Sequence, residues 1–227
     1  MKPLILFFFV FLTILSLPFH SLQAQAPIPN GDFEQWSNGA PLGWAVDNES
    51  NFTPVTQTSD AYSGSSALAG SVISIQGFAQ LAPVAITGSA SVHGFPYADR
   101  PNSFTGYYKF NPVEFDSLTI ACVFEKNGTG IGAGEFSSRV PASGWTAFAV
   151  PIYWGSSDSP DTSIVSVSII TAPSGTASVG STMEVDDLSF SDQVVNSSVE
   201  SQTTSFHLDQ NYPNPISYSL STTISYS

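Results

Sequence analysis

The sequence predicts an all-β fold, an antiparallel β-sandwich of the jelly-roll type. Three observations carry this. No stretch of useful length repeats its apolar residues at helical spacing. Short alternating runs recur down the chain instead, at 66–73, 104–110, 118–125, 130–137, 145–154, 163–171 and 182–190. They are separated by clusters of Gly, Pro, Asn and Ser, as many short antiparallel strands require. Finally, "EKNGTG" carries Asn127-Gly128 between two of the runs, the dipeptide that suits a type I′ hairpin turn because both central residues need positive φ.

The ends frame the sandwich. Lys2 precedes the apolar run "LILFFFVFLTILSL", and Ala24-Gln25-Ala26 follows it. A basic start, a short apolar stretch and a small-x-small site describe an export signal, cleaved after Ala26 or, alternatively, after Ala24. The run is shorter than the ~20 residues that span a bilayer, so no membrane insertion is expected after cleavage. The folded domain is placed at 27–192. "QVVNSSVESQTTS" at 193–205 is polar and free of aromatics, the composition of a flexible linker, and a tail occupies 206–227.

Charge narrows the partners. Eighteen Asp and Glu stand against five Lys and Arg, a formal net charge of −13. Nucleic acids need clustered cations, and an anionic membrane surface needs them too. Neutral ligands and cations remain open. The single cysteine, Cys122, precludes an intramolecular disulfide. It alternates in phase with Leu118, Ile120 and Phe124, which makes it a small core residue.

The last run raises a local question. In "EVDDLSF" (184–190), counting back by twos from Phe190 and Leu188 puts Asp186 on the apolar face, whereas Met183 and Val185 fall out of phase. Either a bulge interrupts the strand at the acid pair or one carboxylate points inward. An inward carboxylate must be paired, hydrogen-bonded or metal-bound.

The opening "PIPNGDFEQW" (27–36) with "PLGW" (41–44), and the closing Val-Asp-Asp-Leu, resemble galactose-binding-like jelly rolls, including many carbohydrate-binding modules. "FTGYYKF" (104–110), "EFD" (114–116), "GWTAFAVPIYW" (144–154), "SPDTSIVSVSI" (159–169) and "GSTMEVDDLSF" (180–190), in that order, are similar to a carbohydrate metabolism domain family of Bacteroidetes. In the tail, "LDQNYPNP" (208–215) and "STTISYS" (221–227) resemble the start of the C-terminal sorting domain of type IX secretion substrates. That likeness implies the type IX secretion machinery as a partner. The segment "ISYSL" interrupts the pattern.

The jelly-roll resemblance implies that the first and last strands meet at one edge, where such folds commonly hold a structural Ca²⁺. Its ligands would be Glu34, with Asp32 as a lesser one, and Asp186 and Asp187, since calcium takes six to eight oxygens. The alternative is that Asp186 and Asp187 hydrogen-bond backbone amides at a bulge, with no metal.

A ligand face is expected where strand residues point away from the core. In 104–110, Tyr108 and Phe110 form the core set and Tyr107 and Lys109 face out. In 144–154, Phe148, Val150 and Ile152 are inward, whereas Trp145 and Tyr153 point outward with Ala147 and Ala149 between them. Rings stacking on sugar C–H faces, with a few polar groups fixing orientation, are the chemistry of carbohydrate binding. Tyr107, Lys109 and Tyr153 on one sheet, Tyr97, Asp99 and Arg100 in "HGFPYADRP", and Trp154 at a strand end are the candidates. Against this, Trp36, Trp44 and Trp145 also suit core or edge-covering roles.

Catalytic signals are sparse. Beyond the export signal the histidines are His93 and His207, and no Gly-x-Ser-x-Gly elbow occurs. "EVDDLS" and "EFDSLT" begin like the Glu-x-Asp-x-x-Glu strand of laminarinase-type enzymes. They carry Ser189 and Thr119 where the second Glu belongs. Glu114 with Asp116, or Glu125 with Glu135, are the remaining acid pairs that glycoside hydrolysis would need to bring together. The sequence thus points to an exported, non-catalytic module that binds a polysaccharide or oligosaccharide, secreted or at the cell surface. A surface adhesion module with a protein partner, or a weak glycoside hydrolase, are the alternatives.

Overall fold

The computed structural model describes residues 26–49, 51–75, 79–171 and 175–195. The expected export signal, nearly all of the linker and the sorting-type tail lie outside these residues. Sixteen strands follow in order among the described residues. β1 (Trp36–Ser37) and β2 (Ala40–Pro41) form a small hairpin, followed by β3 (Trp44–Val46), β4 (Val55–Thr58) and β5 (Ala67–Ser71). β6 (Ile73–Ile75) and β7 (Ala79–Leu81) pair with each other, and β8 (Val84–Thr87), β9 (Phe95–Pro96) and β10 (Ser103–Asn111) come next. The long strands are β11 (Asp116–Lys126), β12 (Thr129–Ser138), β13 (Ala142–Pro151), β15 (Thr162–Thr171) and β16 (Thr182–Ser191), with the short β14 (Tyr153–Trp154) after β13.

Two antiparallel sheets make the sandwich. The five-stranded sheet runs β13-β10-β16-β5-β4, and the seven-stranded sheet runs β14-β12-β11-β15-β8-β3 with β9 beside β15. Strict alternation builds the core. Phe104, Tyr108 and Phe110 of β10 and Leu118, Ile120, Cys122 and Phe124 of β11 point inward and are buried. Val165, Val167 and Ile169 of β15 join them. Asn127 and Gly128 adopt φ of 51° and 74° between Lys126 and Thr129, the type I′ turn that their dipeptide predicts.

The run expected as one strand at 145–154 is two. β13 ends at Pro151, the buried Ile152 donates its N–H to the Asn102 carbonyl (2.9 Å), and Tyr153 resumes in the other sheet beside Ala133. Proline removes a ladder donor, which suits a point where the chain changes sheets.

The closing strand answers the question posed by its acid pair. Thr105 pairs with Ser189 and Tyr107 with Asp186, so Asp187 and Leu188 stand opposite Gly106 alone. This is a β-bulge, with Asp187 at φ 51°. It resets the alternation, letting Met183, Val185, Leu188 and Phe190 all enter the core. Asp186 is therefore on the outer face with Tyr107, correcting the inward placement that simple alternation gives. Gly106 is required there, because a Cβ would lie 2.7 Å from Leu188 Cδ2. The two ends of the domain meet as expected: Leu188 N–H donates to the Gly31 carbonyl (2.8 Å).

Candidate functional site: the outer face of the five-stranded sheet

The site begins with a loop. "YSGSS" (62–66) lies over the acid pair and presents its amides downward. Tyr62 and Ser63 N–H groups donate to Asp186 Oδ2 at 2.8 and 3.1 Å, and Asp187 N–H donates to Asp186 Oδ1 at 2.8 Å. Ser63 Oγ donates to Asp187 Oδ1 (3.0 Å). On the other side, Ser65 and Ser66 N–H groups both donate to Glu34 Oε1 at 2.8 Å, and Ser65 Oγ donates to Oε2 at 2.6 Å. Gly64 holds φ at 65° with Glu34 so close that a Cβ would fall 2.3 Å from Oε1. Three carboxylates thus clasp one loop.

These contacts set the titration of the acids. Hydrogen bonds from the Ser65 hydroxyl, then from the Ser66 and Ser65 amides, hold Glu34 below its usual range. Burial pushes Asp186 upward, against the pull of the Ser63, Asp187 and Tyr62 amides.

The clasp also bears on calcium. A calcium ion needs several free carboxylate oxygens at one point. Here both oxygens of Glu34 and both of Asp186 accept N–H or O–H donors, and Asp32 is an exposed residue outside the clasp. Among the described residues no group of three or more His, Cys, Asp or Glu is arranged to hold a metal. The four residues do not fit a calcium site as they stand.

Fixing the loop brings two further side chains onto the sheet. The Tyr62 ring stacks on Tyr107, centroids 3.4 Å apart at 12°, and approaches Trp145 edge-on at 6.3 Å. Tyr62 is 43% exposed, so the ring face open to solvent is its own, and the covered one is Tyr107's. Asp60 pairs with Lys109 and accepts Trp145 Nε1–H (3.3 Å). Lys109 also reaches Glu184 (2.9 Å) and sits 4.8 Å above the Trp145 ring. Burial alone would lower the Lys109 pKa, but hydrogen bonds to Asp60 and Glu184 outweigh it and hold the ammonium charged. The Lys109 hydrogen bond in turn draws Asp60 below its ordinary value.

A second bulge aims Trp145. Tyr108 pairs with Thr146 but Phe110 with Ala142, leaving residues 143–145 opposite Lys109. Two depressions lie along this face, one by the Lys109–Asn111 end of β10 and one by Thr105 and Tyr107. One, of about 430 Å³, is lined by Asp60, Lys109, Asn111, Ser143, Thr182 and Glu184 among others. The other, of about 650 Å³, is lined by Asn30, Asp32, Gln35, Thr105, Tyr107 and Asp187 among others.

The remaining candidates lie elsewhere. Tyr153 is 70% exposed on the seven-stranded sheet, so it cannot share a face with Tyr107 and Lys109; the change of sheet at Ile152 separates them. Tyr97 is 3% exposed and packs between Phe124 and Phe190 at 5.5 and 5.1 Å, a core ring and not a loop contact. Trp154 packs at a tilt against Phe124 (4.8 Å) and donates to the Pro101 carbonyl (3.1 Å). Arg100 lies 4.1 Å over the Trp154 ring and donates to the carbonyls of Asp158 and Ser156. These two seal a sandwich edge. Asp99 accepts the Ala26 N–H (3.3 Å). Asp116 is fully buried and accepts from Thr171 Oγ1, Ser178 N–H and Ser181 Oγ, which makes it a structural acid.

Tyr62, Asp60 and Glu184 were missed in the sequence, and Trp145, expected to point outward, was left out of the ligand set. The signal available was "SDAYSGSS": an aromatic followed by a Ser/Gly loop rich in free amides, in a chain whose last strand has carboxylates needing donors.

No protein-family model matches the chain, and no curated protein matches it in sequence. Solved structures do share its fold. A candidate glycoside hydrolase from Bacteroides thetaiotaomicron superposes with a TM-score of 0.53 at 13% identity, over 73% of this chain and 68% of that one. A candidate glycoside hydrolase from Bacteroides vulgatus gives 0.53 at 15% identity, over 74% and 95%. The carbohydrate-binding module TmCBM61, solved with β-1,4-galactotriose, gives 0.41 at 15% identity, over 72% and 95%. At such identities the two superpositions above one half show a common architecture. The chain is an antiparallel β-sandwich of the jelly-roll type.

Proposed function

We propose that the chain is a non-catalytic carbohydrate-binding module whose ligand lies across the outer face of the five-stranded sheet. The observation that carries this is the Tyr62 ring, braced on Tyr107 and flanked by Trp145, with two depressions along the same face that carry hydrogen-bonding side chains. A braced, exposed ring offers apolar contact at low entropic cost, and hydrogen-bonding groups beside it fix orientation. Two depressions suit several sugar units of one chain better than a single ring. The fold neighbours from Bacteroides, being candidate glycoside hydrolases, are consistent with a carbohydrate ligand. Asp60, which accepts the Trp145 ring N–H, and Glu184 are counter-ions of Lys109 rather than a free acid and base. The export signal and sorting-type tail expected from the sequence support a module that works outside the cell or on its surface, with the type IX machinery as its route.

Glycan-array binding with Tyr62→Ala, Trp145→Ala and Tyr153→Ala tests this. Loss of binding in the first two, with the third unchanged, is expected. Binding that survives both Tyr62→Ala and Trp145→Ala overturns the face assigned here.

A second reading, an adhesion module with a protein partner, is favoured by the other sheet. Tyr153, Ala133, Val123 and Ile164 form one outward row across it by register, and Tyr153 and Val123 are exposed. Retention of binding to a protein partner by Tyr62→Ala and its loss in Tyr153→Ala would select that reading.

A further inference from the structure

The chain's basic side chains are few, and every one among the described residues is already held by its own fold. Arg100 is tied to two carbonyls and the Trp154 ring. Lys126 pairs with Asp161 (3.7 Å) at the far hairpin, and Arg139 Nε–H donates to Ser117 Oγ (3.0 Å). On the outer face of the five-stranded sheet the one cation is Lys109, gripped by both Asp60 and Glu184. The depressions beside the aromatic ridge carry Asp60 and Glu184 on one side and Asp32 and Asp187 on the other.

We infer that this face selects uncharged, hydroxyl-rich glycan chains and rejects those bearing carboxylates or sulfates, with Asp60 and Glu184 setting the selectivity by neutralising Lys109. The inference rests on the carbohydrate reading of the same face. Its chemistry is simple. A sugar hydroxyl is both donor and acceptor, and it can donate to the open edges of Asp60, Glu184 or Asp187 while accepting from Asn30, Asn111 or Gln35 side chains. A uronate or sulfate oxygen is an acceptor only. It would need an unpaired cation, and it would meet four carboxylates instead. Lys109 thus shapes the site as a pinned donor and ring partner, with its charge already answered.

Affinity electrophoresis of the exported chain through gels containing alginate or heparin tests this at about 20 mM salt, where screening is weak. The wild-type protein is expected to migrate as in an empty gel. The double variant Asp60→Asn/Glu184→Gln, which frees the ammonium, is expected to be retarded roughly fivefold or more strongly. Lys109→Met in that background should abolish the gain, and circular dichroism confirms that each variant is folded. Glu184→Gln alone serves should the double variant not fold. Wild-type retardation by either polyanion would overturn the inference, as would a folded variant that gains none. A parallel set of gels with galactan, xyloglucan, mannan and mixed-linkage glucan reports on the carbohydrate reading separately. No retardation in any of these sinks that reading, whereas the polyanion gels still decide whether Lys109 is masked.

Discussion

Replacing Asp186 by alanine removes the centre of the loop clasp. Three N–H groups lose their acceptor, at 2.8, 3.1 and 2.8 Å in the native protein. Each hydrogen bond to a charged acceptor contributes about 1.5–3 kcal/mol. Tyr62 and Ser63 lie in a surface loop and can recover water, so the low end applies to them. The loss is also offset, because burial already disfavours the charged carboxylate and pushes its pKa up. The net cost is therefore about 2–4 kcal/mol. For a domain of this size each kcal/mol lowers Tm by about 2–4 °C, giving a fall of roughly 4–16 °C. Asp186→Asn should lose less, since its carbonyl oxygen can still accept from Tyr62 and Ser63 while only the Asp187 amide goes unanswered. Urea melts at fixed pH, with and without calcium, measure this. A loss below about 1 kcal/mol for Asp186→Ala, too small for the bonds removed, or a wild-type Tm raised by calcium and lowered by EGTA, would refute the amide account of the acid pair.

The other predictions follow from the same structure. Gly64→Ala combines φ of 65° with a Cβ 2.3 Å from Glu34 Oε1, so it should destabilise the protein in urea melts and release the loop to proteolysis. Asp187→Gly should cost little, because relief at φ 51° offsets the lost Ser63 hydroxyl bond; a loss as large as that of Asp186→Ala would count against the bulge assignment. Glu34, lowered in the fold, contributes stability that is present above its ordinary value of 4.5 and is lost as pH falls through the lower folded value. Asp186, raised, acts in the opposite sense: its contribution is full below 3.8 and declines as pH rises through the folded value. Melting Glu34→Gln and Asp186→Asn across pH 3–6 should therefore flatten the acid limb in the first and remove the opposing slope in the second. The Cys122 thiol, pushed up to about 12 by burial, should resist alkylation in the native protein and react only on unfolding, as thiol titration reads directly.

Much of the architecture was legible because long strands with one buried face must alternate. β10, β11, β15 and β16 were found within two residues at each end, and Tyr108 and Phe110 of β10 and the inward set of β11 were assigned correctly. Short strands hid from the same test. Trp44–Val46 and Val84–Thr87 are too brief to show a period and depend on their partners for pairing. Continuity misled at Pro151-Ile152, where alternation survives but the chain changes sheet. Every later residue then keeps its inward or outward sense yet belongs to the other layer, so Tyr153 faced solvent as expected and still missed the site. Tyr97 and Arg100 misled for another reason. A loop rich in Pro and Gly gives no phase, and whether its rings pack inward depends on partners more than twenty residues away in the chain.

The acid pair joins these threads, because one set of hydrogen bonds serves both the fold and the face. A bulge at Asp187 turns Asp186 outward, where a lone carboxylate would simply be solvated. The loop 62–66 makes it structural by covering it with amides, and Glu34, from the opening segment, holds the loop's far side. What this places is Tyr62 above Tyr107 and Asp60 beside Lys109, neither of which belongs to a strand. The two requirements are therefore linked: a substitution that frees the loop removes the exposed ring and loosens Asp60, one of the two carboxylates on the ammonium, whereas Glu184 stays on its strand. Asp186→Ala should accordingly weaken neutral-glycan binding, with at most part of the polyanion retardation of the Asp60→Asn/Glu184→Gln variant, at temperatures well below its own melting point. A folded Asp186→Ala protein with unchanged ligand preference would mean that Tyr62 and Asp60 hold their places through the sheet's own rings, and that the clasp serves the fold alone.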